Sequence, residues 1–341
     1  MSTKQSRRSN RRHYRKATDS TVQPATEEDV SQLLNSSATE ASTLKWPSGR
    51  PNVARATNIN WGALIWLGLI HVTVLAAPWT FTWSGLGLVF FLHWVCGGVG
   101  ICLGYHRLLT HSSFKTQSWT KRMIATVGCL AGEGPPCLWV ANHRLHHARS
   151  DQEGDPHSPH EGSFWSHALW LAFKVGGKDG VEYLKKWAPD LYRDKFIRNL
   201  DYGFVPVNLA LSGILFGIGY WLGGMTLALS WLVWGVGVRM VAVLHSTWLV
   251  NSASHMWGYR NYETKDDSRN NWWVALMTYG EGWHNNHHAH PTMAKHGHKW
   301  WEIDVTFMTI RIMEKLGLAW DVIDYRNARH RKELEEKRAK K

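Results

Sequence analysis

Between Arg55 and Arg107 the chain carries no Asp, Glu, Lys or Arg, and the same holds between Asp201 and Arg239. A surface helix of a soluble protein needs a charged or polar face, so a soluble fold would have to bury both runs completely. Cysteine is scarce: four residues, at 96, 102, 129 and 137, with no C-x-x-C pair. That excludes a disulfide framework, a thiolate metal site and an iron–sulfur cluster. No phosphate-cradling glycine loop and no dinucleotide fingerprint follows a plausible strand, which removes the common nucleotide chemistries. The N-terminus lacks the apolar core of a secretory signal, although its Arg- and Ser-rich start is compatible with an organelle transit peptide.

What the chain has in excess is tryptophan, 22 residues in 341, a side chain favoured at membrane–water interfaces. The first uncharged run is long enough for two membrane helices of about 20 residues, and the second, with apolar character resuming through Val250, reads as another helical pair. "APWTFTWSG" (77 to 85) breaks the first run and "LGGM" (222 to 225) the second. Nearly every Lys and Arg lies outside these hairpins, which by the positive-inside rule puts the polar blocks and both termini on the cytoplasmic side. The expected fold is therefore all-α and integral to the membrane, with four transmembrane helices in two hairpins and a cytoplasmic helical cap. Residues 1–57 read as a basic tail that contributes much of the net charge of +12, residues 58–325 as the membrane domain, and 326–341 as a charged C-terminal tail.

The chemistry lies in the histidines. "EGWHNNHHAHP" (281 to 291) holds His284, His287 and His288, and "ANHRLHHARSD" (141 to 151) holds His143, His146 and His147, both at the i, i+3, i+4 spacing expected to line one helix face. "GYHRLLTHSSF" places His106 and His111 directly after the second predicted span; their i, i+5 spacing does not share an α-helical face. Asn251 and His255 follow the fourth span one turn apart. Nine imidazoles exceed the about four that one tetrahedral ion takes, and suit two metals with open positions. Imidazole alone does not choose among Zn, Cu, Fe and Ni. The Glu-x-x-His pattern of soluble di-iron bundles is absent.

The ordered motifs HRLLTH, HRLHH, NSASH and GEGWHNNHH, interleaved with two apolar hairpins, resemble the integral-membrane acyl desaturases of the delta-9 (stearoyl) type. The resemblance covers about residues 58–325 and is closest to the bacterial and cyanobacterial branch through "WLVNSASH", "GEGWHNNHHAH" and "WWEID". It implies a non-haem enzyme with two iron ions that uses dioxygen to place a cis double bond in a saturated acyl chain. The implied ligands are His106, His111, His143, His146, His147, His255, His284, His287 and His288, with Asn251 holding a water on one iron. Thr247 and Trp248 match the tunnel residues that position the chain. Asp155 is expected to orient imidazoles, and Arg239, inside the fourth span, to serve either as a polar partner near the site or as a snorkelling side chain. Glu281 and Asp304 are weaker candidates, and His296 reads as a loop histidine.

Leu138 and Asn142 stand where animal acyl-CoA members carry acidic residues, which shifts the implied carrier toward a glycerolipid. No haem-binding His-Pro-Gly-Gly segment occurs, so electrons are expected from a separate ferredoxin or cytochrome b5, in a bacterial plasma or thylakoid membrane. The competing expectations are a membrane hydroxylase using the same ligands, and a metal-storage or transport protein. Transport predicts ligands near the bilayer midplane, whereas these motifs cluster at the span ends.

Overall fold

The computed structural model describes residues 59–175 and 180–325; the tails expected at 1–57 and 326–341 lie outside them. The described residues are mostly helical. Helix α1 (Trp61–Val74) starts where the Asn60 side chain accepts the Ala63 N–H at 3.2 Å. Helix α2 (Trp83–Leu92) starts on Thr82, whose hydroxyl accepts from Gly85 N–H at 3.0 Å. The chain then continues without a break into a wide, π-type helical segment, His93–Thr110. After the two-residue strand β1 (Lys115–Thr116) come α3 (Ser118–Cys129) and α4 (Pro136–Arg149), then the short α5 (Ser163–His167).

The second half contains α6 (Gly180–Trp187), α7 (Pro189–Arg193) and the long α8 (Lys195–Leu232), followed by a π-type turn and α9 (Arg239–Asn251). Short helices α10 (Ala253–Met256), α11 (Trp272–Met277) and α12 (His284–Ala289), then α13 (Val305–Lys315), complete the helical part. Strand β2 (Ala319–Trp320) pairs antiparallel with β1, a small departure from a wholly helical fold that ties the end of the domain to the segment after the first histidine pair.

Two helical runs are long and apolar enough to cross a bilayer, Trp83–Thr110 and Lys195–Met256, and α1 is a shorter apolar helix of 14 residues. The 62-residue second run cannot be one straight span, since at about 1.5 Å per residue it would reach about three times the hydrocarbon thickness. It breaks at the expected glycines: Gly223 and Gly224 leave helical geometry, and Gly224 takes φ +67°, which costs glycine little. A Cβ on Gly219 would stand 2.9 Å from the Ala228 Cα, so the two arms pack backbone to backbone.

The exposed surface of α1 carries Trp61, Ile65, Leu69 and Val72, a helical stripe of bare apolar side chains that water would penalise and lipid accepts. Trp79, Trp83 and Trp221 are more than three-quarters exposed and sit at the two hairpin tips. The core is built where α3 lies against the wide segment. A Cβ on Gly100 would meet the Gly128 backbone at 2.8 Å, and this contact lets Tyr105, Ile124 and Cys129 close over one another. All four cysteines are buried and free.

Candidate metal centre

The nine expected histidines come together, and they do so as two separate groups. His106, His111, His143, His147 and His287 present one ring nitrogen each within 4.8 Å of one another; His146, His255, His284 and His288 form a second group by the same measure. The boxes therefore do not each line a single face toward one ion. In α4, His143 and His147 go to the five-histidine group and His146 to the other; in α12, His284 and His288 go to the four-histidine group and His287 to the first. Residues four apart differ by about 40° around a helix while the third position falls about 60° to the other side. Each box helix thus runs between the two groups and feeds both.

His106 and His111 share one group despite their i, i+5 spacing, which corrects the expectation that they could not share a helix face. The reason is the backbone: the His111 N–H donates to the His106 carbonyl at 3.2 Å, a π-type bond that widens the turn to that repeat. Their rings lie 4.8 Å apart, edge to face. π-type turns are rare and recur at functional sites.

Carboxylates fix the ring orientations. His106 Nδ1 donates to Glu281 at 2.7 Å, His255 Nδ1 to Asp151 at 2.8 Å, and His288 Nδ1 to Asp266 at 2.7 Å. His146 Nδ1 reaches both oxygens of Asp155 at 3.0 Å. Asp151 holds φ at 59°, a left-handed conformation that few non-glycine residues adopt, while also accepting the Asp267 N–H. With the proton placed on Nδ1, each of these imidazoles turns its Nε2 lone pair inward.

Those inward nitrogens crowd together. His106 Nε2 and His147 Nε2 each lie 3.0 Å from His287 Nε2, His143 Nε2 lies 3.1 Å from His147 Nε2, and His255 Nε2 lies 3.0 Å from His284 Nε2. The Nε2 atoms of His111, His146 and His288 are buried and have no hydrogen-bond partner. Where both rings carry their proton on Nδ1, the facing Nε2 lone pairs repel at this distance unless a cation sits between them. An all-imidazole donor set of this kind fits two transition-metal ions.

The electrostatics favour the neutral, ligating form. Burial, with the neighbouring imidazoles, holds His111, His143, His147, His284 and His287 well below the ordinary histidine pKa. Burial brings His288 down to about 4, with Asp266 opposing it. Burial acts to raise Glu281, but Arg107, His296 and His106 outweigh it and hold that carboxyl well below its usual range.

Arg107 is fully buried and clamps two carboxylates, donating to Glu281 Oε1 at 2.9 and 3.0 Å and to Asp304 Oδ2 at 2.9 Å. His296 lies in an irregular segment but is wholly buried, its Nδ1 3.0 Å from Glu281. The sequence reading missed Asp151, Asp266 and Arg107. Only the adjacency of Asp151 and Arg107 to histidine motifs could have pointed to the first and last of these.

The remaining candidates lie close by. Asn251 ends α9 four residues before His255. Trp248 is buried and packed among the rings of His71, His167 and His245. Thr247 shares a hydrogen bond with Glu133, whose carboxyl also accepts the Trp139 N–H at 2.9 Å; the Trp139 ring stacks on His143 at 5.0 Å. Arg239 is wholly buried and does not snorkel: its Nε donates to Gly235 O at 3.1 Å and its Nη1 to Leu130 O, bracing the loop that carries Glu133.

The fatty acid desaturase family profile matches residues 77–303. The chain belongs to the fatty acid desaturase family. It is 45% identical over 274 residues to the sn-2 palmitoyl-lipid 9-desaturase of Nostoc sp. (strain 36), covering 80% of this chain and 93% of that one. It is 44% identical over 267 residues to the sn-1 stearoyl-lipid 9-desaturase of Anabaena variabilis, covering 77% and 94%. Similarity to the acyl-CoA 5-desaturase AL21 of Anemone leveillei is 43% over 261 residues, covering 76% and 78%. This desaturase is an oxidoreductase acting on fatty acyl chains, and its two histidine clusters could each hold a metal ion.

Proposed function

We propose that this desaturase introduces a cis double bond at position 9 of a saturated acyl chain carried on a glycerolipid, using two iron ions and dioxygen. The cyanobacterial relatives, named as acyl-lipid 9-desaturases, support the position and the carrier. Electrons come from a separate ferredoxin or cytochrome b5, drawn to a positively charged cytoplasmic face. The four apolar segments are read as four spans, with both termini and the clusters on the cytoplasmic side of a bacterial plasma or thylakoid membrane.

The observation that carries this reading is the pair of imidazole clusters whose lone pairs converge on two points. His106, His111, His143, His147 and His287 would hold one iron; His146, His255, His284 and His288 the other, with Asn251 reaching it through a water. The iron pair with dioxygen supplies an oxidant strong enough to take hydrogen from an unactivated methylene. Glu281, Asp151, Asp155 and Asp266 keep the ligand rings in one tautomer and one orientation. Thr247 and Trp248 hold a featureless chain at fixed depth, since selection of one methylene pair rests on position alone. Two hydrogens leave the chain, the donor and solvent supply two electrons and two protons, and dioxygen becomes two waters.

The test is mass spectrometry of total fatty acids in a host that lacks this activity and has a ferredoxin system, with wild type compared against His147→Ala. A new cis monoene at position 9 from wild type alone is expected. A hydroxylated chain in its place would move the assignment to a membrane hydroxylase.

A further inference from the structure

Outside the metal centre, two phenols meet one imidazole. His298 Nε2 donates to the Lys295 carbonyl at 3.1 Å, which leaves Nδ1 as a lone-pair acceptor. Tyr325 Oη lies 2.6 Å from that Nδ1, Tyr262 Oη lies 3.0 Å from it, and the two hydroxyls are 2.6 Å apart. One lone pair takes one proton, so one phenol donates to the ring while the other donates to the first phenol's oxygen. Tyr325 is 39% exposed and forms the outer end of this triad.

The inner end reaches the metal-ligating segment. The Tyr262 N–H donates to Asn285 Oδ1 at 2.9 Å and its carbonyl accepts from Asn285 Nδ2 at 3.0 Å; Asn285 follows His284 directly. The Tyr262 ring also packs edge-on against His290, 4.9 Å away and two residues beyond His288. No step of the proposed desaturation uses Tyr262, Tyr325 or His298.

A phenol in such a triad can do one redox task well. It has no accessible vacancy for an incoming electron, so it cannot pass reducing equivalents inward from a donor. It can give an electron up, because a basic nitrogen already in hydrogen-bond contact takes the proton in the same event. Its O–H bond is weaker than a methylene C–H bond, so any oxidant able to desaturate an alkyl chain can also oxidise it.

We propose that Tyr262, Tyr325 and His298 form an oxidative escape route, which discharges the metal–dioxygen oxidant to the protein surface when no acyl chain is in place. This rests on the desaturase reading above. In an idle event one phenol gives an electron to the oxidant and its proton to His298 Nδ1, leaving a neutral phenoxyl. The external one-electron donor supplies the other three electrons and solvent supplies four protons, so that dioxygen is reduced to two waters. One further electron from the donor, with return of the proton from His298 Nδ1, restores the phenol. The route spares the ligand histidines and the tunnel tryptophan from oxidation.

The test uses the iron-loaded full-length enzyme with its one-electron donor and dioxygen but no acyl lipid, frozen rapidly and examined by electron paramagnetic resonance. A phenoxyl signal is expected in wild type, suppressed by added acyl lipid and lost in the Tyr262→Phe, Tyr325→Phe double variant. That variant should form monoene at the wild-type initial rate but inactivate several-fold sooner during idle turnover. Absence of the signal in a wild type that makes monoene overturns the proposal, as does a signal that survives the double substitution. A wild type that binds iron but makes no monoene, with or without a signal, overturns the desaturase reading and the proposal with it.

Discussion

His106 Nε2 and His287 Nε2 stand 3.0 Å apart, and Glu281, which accepts the His106 Nδ1 proton at 2.7 Å, turns the His106 Nε2 lone pair toward that contact. A cation between the two nitrogens would turn that contact into part of a metal site. Glu281 in turn is held ionised by Arg107, which is fully buried and already committed to Asp304.

It follows that Glu281→Ala should cost the five-histidine group its metal. Loss of such an outer-shell carboxylate typically lowers metal affinity or activity by about 10- to 100-fold. Iron content and monoene yield, measured on the same preparation, should fall together. Normal iron with normal turnover would show that Glu281 has only a packing role.

The four-histidine group can be addressed separately through Asp266, which accepts from His288 Nδ1 at 2.7 Å and, among the described residues, hydrogen-bonds no other histidine of either group. Asp266→Asn should release about one of two irons and leave the other bound. Loss of both, or neither, would contradict the division of the nine histidines into five and four.

Glu133 gives a pH signature. Burial raises its pKa from the usual carboxylate range to about 7, against hydrogen bonds from Thr247 and Trp139. A raised folded-state value means that the unfolded chain gives up this proton first, at about pH 4.3. The contribution to stability is therefore fully present below that pH and is lost as pH rises through about 7. Glu133→Gln, which keeps the shape and removes the titration, should melt at a progressively higher temperature relative to wild type between those two values. A difference that does not change with pH would place the ionisation elsewhere.

Thr247 and Trp248 predict a change of product rather than of iron. Trp248→Ala, which opens space among three histidine rings, should shift chain-length preference or double-bond position while iron content stays at the wild-type level. An unchanged product profile across substitutions at both residues would remove them from the chain-positioning role.

Much of this site was legible in the sequence because its ligands are marked by spacing. His143, His146, His147, His284, His287 and His288 announce themselves as two identical patterns, and the order of motifs made the family recognisable. Which histidine joins which group was not legible, since a pattern of three on one helix does not say that the ions lie on either side of it. The pairing of His106 with His111 was hidden for a different reason: π-type winding has no signature in residue type. Asp151 and Asp266 come from loops, where no periodicity marks a partner. The glycine break at 223 and 224 was anticipated, because a left-handed residue inside an apolar run leaves few alternatives to glycine.

The division of labour between distant segments also sets the order in which the enzyme is made. The five-histidine group draws on residues 106 to 287, and the four-histidine group on residues 146 to 288. Neither is complete until the last histidine box, residues 284 to 288, has been synthesised. A polypeptide truncated before residue 284 would lack His284, His287 and His288 and so leave both groups incomplete.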